Sequence, residues 1–400
     1  MNSGLLFLMG IGLAWALIGQ RTKAVKALSQ VHRTTRSQWA RNLVEPYIFA
    51  NREAVKLDAL PLTEGEITKF FGTRLLVLKA FEPNGEKGVL LVMFSEMIRL
   101  LLSSMNLPKL LREYTLVFEP SWSGYCHPDL LQFTEFSEEI FVLAAEENDF
   151  AFLQRLGSNL KPVGLGPCDW VDPRMAAPYL ANAKEFDIVM NSNWAPWKRH
   201  YALFRMLANA KLQQYKVALI GGPWAGKTQI DIKNLAEYYG VSDQLNIVER
   251  LSYEKVMDVT CQSRVSILLS LKEGSNRAIA ESIFCDVPVV VLSNHVGGIK
   301  KNIVPQTGLL TDEEHLESAI STLLNTSLRP RKWGLENISC FVSSARLNGL
   351  LREHALQRGE PWTRDIAGRS NSPESKYICE GDAERLAPWN KDLRGYLRRA

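Results

Sequence analysis

Short apolar runs alternate with longer amphipathic segments along most of the chain. In the first half, the apolar runs at residues 74–79, 114–118 and 139–144 have the length and composition of buried strands. The alternation restarts at residue 186, and strand-like runs recur as far as 287–292. Strands that alternate with helices indicate parallel sheets with crossover connections. The pattern therefore predicts an α/β protein with two domains.

Changes in this pattern divide the chain into five parts. We predict a first α/β domain at 21–165 and a second at 185–330. A linker rich in proline and glycine, 166–184, separates them. From residue 331 the pattern weakens, and 331–400 is predicted to form a helix that crosses back to the first domain, followed by an irregular tail. The remaining part, residues 1–20, is strongly apolar.

Residues 4–19, GLLFLMGIGLAWALIG, carry no charge. As a helix this segment would be about 24 Å long, against a hydrocarbon core of about 30 Å in a bilayer. Arg21, Lys23 and Lys26 follow it, so the positive-inside rule would keep the rest of the chain on the cytoplasmic face. Two interpretations stay open: a membrane tether, or an apolar helix that packs on the protein.

The composition limits the class of protein. Of the 400 residues, 46% are apolar and 22% are charged, which is ordinary for a soluble globular chain. The net charge of +4 is small and the two signs are interspersed, so no nucleic-acid partner is expected. The six cysteines include no C-x-x-C pair, and no metal site is expected either.

The segment Gly221–Thr228, GGPWAGKT, matches the G-x-x-x-x-G-K-[ST] loop that wraps nucleotide phosphates. It follows a predicted strand and precedes a predicted helix. Two features oppose a P-loop: Pro223 removes one amide donor, and the strand ends that follow do not supply an aspartate for Mg²⁺. A P-loop ATPase or kinase therefore remains the alternative interpretation.

Two carboxylates, Glu273 and Glu281, stand eight residues apart in the richest stretch of the sequence. Glu273 follows a predicted strand, and Gly274 would let a ligand approach the backbone closely. Ser275 or Asn276 is predicted to cap a helix whose free N–H groups favour an anion such as a pyrophosphate. Because eight residues span about 12 Å of helix, the two carboxylates could hold distant parts of one elongated ligand, such as a sugar nucleotide.

The next predicted strand, 287–292, leads to Gly297 and Gly298, a second place where a ligand could approach the backbone. In open α/β sheets, ligands bind outside the carboxyl ends of the strands, where these loops fall. His295 lies beside the same loop, and we interpret it as a loop histidine without a catalytic role.

The order E-x7-E, D-V-P-V-V-V and G-G resembles the donor-binding domain of the group 1 (family 4) glycosyltransferases over about residues 185–325. The segment SNWAPWK, 192–198, is similar to a family segment of the form G-R-L-x-P-x-K. The resemblance implies the GT-B fold, in which two Rossmann-like doubly wound domains face each other across a cleft. It also implies retaining transfer of a sugar from a nucleoside-diphosphate sugar to a glycan or lipid-linked acceptor, in surface polysaccharide or glycolipid assembly, without a metal or other cofactor.

The resemblance further implies roles for individual residues. Glu273 would bind sugar hydroxyls and Lys198 would neutralise the donor diphosphate, which makes them the catalytic candidates. Glu281 would bind the ribose. The arginine of the family is Asn193 here, so Arg199 and Arg277 would supply additional positive charge. The other donor-side candidates are Gly274, Ser275, Asn276, Gly221, Gly222, Gly297 and Gly298.

The first domain departs further from the family. Glu119 stands at a strand end where such enzymes often carry a histidine, and His127 follows eight residues later. The early Gly-Gly loop of the family is reduced to Gly85 and Gly88. These four residues are the acceptor-side candidates. Asn193 and Glu119, which replace the arginine and the histidine of the family, keep open a catalytically inactive GT-B module that binds a sugar nucleotide or scaffolds an assembly.

Overall fold

The computed structural model describes residues 3–55, 60–178, 184–209 and 214–398. The chain forms two compact units. The first comprises Met1–Leu165, Leu347–Gly368 and Tyr377–Ala400, and the second comprises Gly166–Arg346 and Arg369–Lys376. Each unit is built around a mostly or wholly parallel sheet, as the alternation of strands and helices predicts.

The first unit begins with helices that precede its sheet: α1 (Ser3–Leu17), α2 (Arg21–Thr34), α3 (Gln38–Ala50) and α4 (Glu64–Thr68). Helix α1 packs closely on α2, because Gly12 has no side chain where a Cβ would lie 2.7 Å from Leu28 Cδ2. Among the described residues, no helix has both the length and the apolar character needed to cross a membrane.

The first sheet contains five strands in chain order: β1 (Leu75–Lys79), β2 (Gly88–Met93), β3 (Tyr114–Glu119), β4 (Ile140–Leu143) and β5 (Leu160–Val163). Strand β1 is antiparallel to β2, and the other pairs are parallel. The helices between them are α5 (Ser95–Ser104), α6 (Leu107–Glu113), α7 (Pro128–Leu131) and α8 (Glu147–Leu156). Among the described residues, the strands of this sheet lie in chain order, without the reversal that the second sheet shows.

The second sheet is parallel and has the order β11-β10-β9-β6-β7-β8. Its strands are β6 (Phe186–Asn191), β7 (Val217–Gly221), β8 (Leu245–Glu249), β9 (Ser263–Leu268), β10 (Val289–Leu292) and β11 (Gly308–Thr311). The chain enters at β6, builds outward to β8, and then returns to place β9 on the other side of β6. This sheet is doubly wound, and its order reverses between β6 and β9.

The helices of the second unit connect these strands and follow the last of them. They are α9 (His200–Leu207), α10 (Gln229–Tyr239), α11 (Tyr253–Cys261), α12 (Arg277–Phe284), α13 (Leu316–Leu324) and α14 (Pro330–Asn337). The segment predicted as a linker, 166–184, is largely part of this unit, since Trp170 and Val171 are fully buried in it. Residues 179–183 of that prediction lie outside the described residues.

The C-terminal part is more regular than the sequence pattern predicts. Helix α15 (Cys340–Gln357) begins in the second unit and continues into the first from Leu347. The short strands β12 (Arg369–Asn371) and β13 (Ser375–Tyr377) pair, and α16 (Glu380–Asp392) follows. In place of an irregular tail, α16 packs on the first unit, where Asn390 Oδ1 accepts a hydrogen bond from Val77 N at 3.0 Å.

The sparse apolar residues of this C-terminal region explain the difference. Leu386, Leu393 and Tyr396 are buried, and they recur at spacings that place them on one side of a helix and its continuation. The average hydrophobicity of this segment is low, so the sequence pattern indicates a polar tail. These few apolar side chains are nevertheless sufficient to pack the segment against the hydrophobic core of the first unit.

Candidate functional site

A lysine and a glutamate meet at the point where the second sheet reverses its strand order. Lys198 follows β6 and Glu273 follows β9, and these two strands are neighbours. Lys198 Nζ lies 2.6 Å from Glu273 Oε1. Ligands of doubly wound sheets bind outside the carboxyl ends of the strands at this reversal. The two residues predicted to be catalytic are therefore together at the expected edge.

Lys198 is held by a turn that rests on a buried tryptophan. Trp194 is 1% exposed, and its Nε1 donates a hydrogen bond to Glu249 Oε2 at 2.6 Å. Gly221 makes room for this ring, because a Cβ there would lie 2.6 Å from two of its carbon atoms. Asn193 Oδ1 accepts a bond from Ala195 N at 3.4 Å. Gly221 and Asn193 thus shape the loop that presents Lys198.

Glu273 is fixed by its backbone and its side chain. Its N–H donates to Val296 O at 2.9 Å, and its Oε2 accepts from Asn276 Nδ2 at 2.8 Å. The residue is 7% exposed. Burial is the largest influence and opposes the charge of Glu273, but the ammonium group of Lys198 and the hydrogen bonds to the carboxylate together lower its pKa below the ordinary value. The carboxylate is therefore ionised at neutral pH and faces a cation.

The two glycine-bearing loops are bonded directly to each other. Gly298 N donates to Gly274 O at 2.6 Å. A Cβ on Gly297 would lie 2.5 Å from His295 Nε2 and 3.1 Å from Gly274 O, so this position excludes side chains for a steric reason. Gly297 is thus needed for the close approach of two loops, whereas the sequence suggested only the approach of a ligand.

His295 lies beneath this junction and is 1% exposed. Its Nδ1 is 2.7 Å from Ser270 O, and its Nε2 has no hydrogen-bond partner among the described residues. Burial lowers the pKa of His295, which keeps the ring neutral. With Nδ1–H donating to the carbonyl, Nε2 is an acceptor beside Gly297.

The N-terminus of α12 opens at the same edge. Asn276 caps it, since its Oδ1 accepts from Ile279 N at 3.0 Å. The positive end of the helix dipole therefore lies beside Glu273 and would favour an anionic group. Ser275, by contrast, accepts a hydrogen bond from Cys168 N at 3.1 Å, which fastens the 167–170 turn to this loop.

Glu281 has partners other than the Lys198 pair. It is 3% exposed, and its Oε1 accepts from Tyr253 OH at 3.0 Å and lies 2.9 Å from Arg277 Nε. Burial raises the pKa of Glu281, and Arg277 opposes that rise only in part. Arg277 also donates to the carbonyls of Asn371 and Pro373. The guanidinium of Arg277 therefore binds both Glu281 and the backbone at Asn371 and Pro373. The prediction that Glu281 binds a ribose is not tested by these contacts.

Arg199, predicted as a second diphosphate cation, is already paired. Its Nη2 lies 2.6 Å from Glu313 Oε2, and its Nη1 donates to Leu269 O at 3.3 Å. Glu313 also binds Arg205. Of the two neighbouring cations, Lys198 and not Arg199 therefore meets Glu273.

The segment that resembles a P-loop forms a tight turn. Trp224 N donates to Lys227 O at 3.0 Å, and Lys227 N donates back to Trp224 O at 2.9 Å. Lys227 Nζ pairs with Asp231 Oδ1 at 2.9 Å on the surface. A phosphate cradle needs such amides and the lysine directed at the ligand. This geometry opposes the P-loop alternative; Gly222 simply faces open space.

The same turn carries Trp224, an aromatic residue that sequence analysis did not identify as a candidate. The rings of Trp224 and Trp197 meet edge to face with centroids 5.9 Å apart. Both side chains are exposed, and Trp197 immediately precedes Lys198. The only sequence signal for this pair is the presence of tryptophan in two loops that follow neighbouring strands.

The acceptor-side glycines lie at the wrong end of the first sheet. Gly85 lies in the turn between β1 and β2, and Gly88 is the first residue of β2. Because β1 is antiparallel to β2, both glycines lie at the amino end of the parallel strands. Gly88 is required there because a Cβ would lie 2.5 Å from the Tyr114 ring. Strand direction therefore opposes the prediction that they face an acceptor, although their spacing resembles a family loop.

Glu119 is the last residue of β3 and His127 follows it, so both lie toward the carboxyl end of the strand, as an acceptor site requires. Glu119 is buried, and His127 borders a small cavity that is open to solvent. Burial lowers the pKa of His127 to about 4, and its Nδ1 accepts from Asp129 N at 3.2 Å. The cavity is lined by Arg33, Ser95, Ile98, Pro120, Trp122, Gly124, Tyr125, His127, Asp129 and Leu130.

Comparison with known proteins identifies a family model and solved structures to which this chain is similar. Residues 172–337 match the family model described as Glycosyl transferases group 1. No curated protein sequence matches the chain significantly. Sucrose-phosphate synthase from Thermosynechococcus elongatus is similar in structure, with a TM-score of 0.53 and 16% identity over 81% of each chain.

HepE from Anabaena, in a crystal structure with UDP-glucose, gives a TM-score of 0.52 at 11% identity and covers 79% of this chain and 90% of that one. Its complex with UDP and glucose gives 0.51 at 13% identity, over 66% and 78%. At these identities the likeness establishes the fold, two Rossmann-like domains of the GT-B type. The chain therefore has the GT-B fold, and residues 172–337 match the model of the group 1 glycosyltransferases.

Proposed function

We propose that the protein transfers a sugar from a nucleoside-diphosphate sugar to an acceptor hydroxyl, with retention of configuration at the anomeric carbon. The buried Lys198–Glu273 pair carries the proposal. It stands at the reversal of the second sheet, with Nζ and Oε1 2.6 Å apart. A purely structural pair has no reason to fall at this edge, where doubly wound sheets bind their ligands.

The transfer needs charge stabilisation more than it needs a strong acid or base. As the bond between the anomeric carbon and the donor oxygen breaks, the diphosphate leaves with the electron pair. Lys198 and the N-terminus of α12 would stabilise that charge, and no metal is needed in this proposal. The acceptor oxygen bonds to the anomeric carbon from the same face, and its proton passes to the oxygen of the departing diphosphate.

Glu273 would bind and orient the sugar. Its carboxylate accepts hydrogen bonds from Lys198 and Asn276 in the free protein. When donor binds, sugar hydroxyls would replace the lysine, and the ammonium group would turn to the phosphates. Because the pKa of Glu273 is lowered, the carboxylate stays an acceptor throughout the neutral range. In the free protein, the two groups proposed to bind the donor, the ammonium of Lys198 and the carboxylate of Glu273, therefore contact each other.

Two further features support a carbohydrate acceptor and a uridine-type donor. HepE, which shares the fold, was crystallised with UDP-glucose. In the first unit, the cavity near His127 offers Trp122, Arg33 and Asp129, a combination of ring face and polar groups suited to a sugar. We propose that a glycan or lipid-linked acceptor binds there and that the product serves surface polysaccharide or glycolipid assembly.

The proposal is tested by binding and transfer measured together. A panel of nucleoside diphosphates and their sugars should raise Tm for one base and one sugar class, since ligands stabilise the state they bind. With the best donor, radiolabelled sugar release or transfer should then fall by about a hundredfold or more in Glu273→Gln and in Lys198→Ala. Lys227→Ala, a lysine exposed on the neighbouring turn, is the control and should keep wild-type activity.

Each alternative predicts a different result. A P-loop ATPase would hydrolyse ATP and lose that activity in Lys227→Ala, with Glu273→Gln unaffected. An inactive module would show the shift in Tm with a sugar nucleotide but neither release nor transfer of the labelled sugar. Either outcome would exclude the proposed transferase.

A further inference from the structure

Helix α1 exposes an apolar surface. Phe7 is 70% exposed, and Leu17 and Ile18, at the end of the helix, are 88% and 71% exposed. Leu6 adds a fourth large apolar side chain to this surface, which we call the α1 face: Leu6, Phe7, Leu17 and Ile18. Single exposed apolar residues are ordinary, but a cluster on one short helix indicates a binding surface.

The opposite side of α1 already has a structural role. Met9 is buried in the first core, Leu8 and Leu13 pack against it, and Gly12 contacts Leu28 of α2. A surface helix normally combines such an apolar side with a polar one. In α1 the solvent side carries no charged residue at all. The core therefore explains the apolar residues on the side of Met9, and the α1 face has no partner among the described residues.

The charges around the α1 face have one sign. Residues 1–44 contain six arginine and lysine residues and no aspartate or glutamate. Arg21, Lys23 and Lys26 are exposed at the start of α2, directly after Ile18. Lys23 Nζ lies 6.0 Å from the centre of the Trp15 ring on α1. An apolar face bordered by cations and a tryptophan has the chemistry of the interface of an anionic bilayer.

We propose that α1 docks the protein on the surface of an anionic lipid bilayer. The α1 face enters the headgroup region, and Arg21, Lys23 and Lys26 contact lipid phosphates. The helix lies in the interface and does not span, because its other side stays packed on α2. This arrangement requires no change in the fold of the first unit, and it holds whether or not the chain transfers sugars.

A second copy of the chain is a poorer occupant. Self-association through the α1 face would bring two sets of cations together without an acidic partner from residues 1–44. A lipid surface supplies both the apolar layer and the negative charge, and each cation near it adds about fivefold to binding.

The test is binding of the full chain to vesicles. Phosphatidylcholine vesicles that contain phosphatidylglycerol should carry the protein in a flotation gradient, and pure phosphatidylcholine vesicles should carry much less. Phe7→Ser with Leu17→Ser should reduce binding by about tenfold or more, because two apolar side chains no longer enter the interface. Lys23→Gln with Lys26→Gln should reduce it by about twentyfold and remove most of the effect of salt.

Matched controls use equally exposed residues of the second unit. Ile230→Ser with Tyr238→Ser removes apolar side chains that are 68% and 82% exposed, and Lys233→Gln with Lys255→Gln removes two exposed cations. Both should leave binding unchanged, and an unchanged Tm shows that each variant is folded.

Three results would overturn the proposal. Wild-type protein that fails to float with anionic vesicles has no such surface. Protein that resists extraction by alkaline carbonate spans the bilayer and does not lie on it. A concentration-dependent dimer in light scattering, abolished by Phe7→Ser with Leu17→Ser, assigns the α1 face to a second copy.

Discussion

Position 297 requires glycine because a Cβ there would collide with the side chain of His295 and with two backbone carbonyl oxygens. Its φ of 167° is ordinary extended backbone, so conformation does not demand glycine. A Cβ would instead meet His295 Nε2 at 2.5 Å and two carbonyl oxygens at 3.1 and 3.2 Å. A family motif and a steric requirement therefore coincide at this residue, and a mutation can separate them.

We expect Gly297→Ala to lower the free energy of unfolding by about 1–3 kcal/mol, because the added methyl overpacks the junction of the two loops. Donor affinity should fall with it, since Glu273 is bonded to the same junction. Gly222→Ala is the control, because nothing lies within 4 Å of a Cβ there. Chemical denaturation and a donor-binding isotherm measure the two effects.

The double variant Gly297→Ala with His295→Ala identifies the obstacle. If His295 is responsible, the double variant should be more stable than the sum of the two single effects, by about 1 kcal/mol in a double-mutant cycle. Strictly additive effects would show that the carbonyl oxygens, and not the imidazole, exclude the methyl group.

At the scale of elements, α12 links a helix terminus to the candidate site through one side chain. Asn276 Oδ1 caps the helix and Asn276 Nδ2 donates to Glu273 Oε2. Serine retains a capping oxygen but is too short to bridge both partners. Substitutions at this position can therefore separate the stability of the helix from the orientation of the carboxylate.

We predict that Asn276→Ala lowers the free energy of unfolding by about 1 kcal/mol, whereas Asn276→Ser changes it by less than about 0.5 kcal/mol. Both should raise KM for the sugar donor by about tenfold, because Glu273 loses one positioning hydrogen bond. Thermal unfolding and steady-state kinetics test this. A wild-type KM in Asn276→Ser would show that the amide does not position Glu273.

For the whole molecule, buried histidines make stability depend on pH. The pKa is lowered for His32, His127, His200 and His295, with burial as the first cause in each. Burial lowers the pKa of His200 from 6.5 to about 4, with a smaller contribution from Lys198. The unfolded chain therefore binds more protons in this range, so acid favours unfolding.

His200 alone should remove about 3 kcal/mol of stability as pH falls from about 7.5 to about 4, with most of the loss below pH 6.5. His200→Gln, which can still reach Ser192 Oγ, should reduce the drop in Tm between about pH 7.5 and pH 5 by about 5 °C. The exposed His315→Gln is the control. An unchanged pH dependence in His200→Gln would show that folding does not lower the pKa of His200.

Several features of the candidate site follow from sequence pattern because they depend on neighbours along the chain. The strand before Glu273, the cap at Asn276 and the lysine after a proline turn are local signals, and the structure contains all three. The interaction partner of each side chain, by contrast, does not follow from neighbours along the chain. Glu281 with Tyr253 and Arg199 with Glu313 join residues 28 and 114 positions apart, which local pattern does not specify.

The amino-acid sequence by itself determined the alternation of strands and helices, the two α/β domains and the motif of the second domain, because these depend on periodicity and on short segments. Only the tertiary structure decided strand direction and strand order. These two properties set Gly85 and Gly88 at the far edge of the first sheet and brought Lys198 to Glu273 in the second. The physical reason is that strand order and strand direction depend on contacts between segments that are far apart in the sequence. These contacts form together when the whole chain packs.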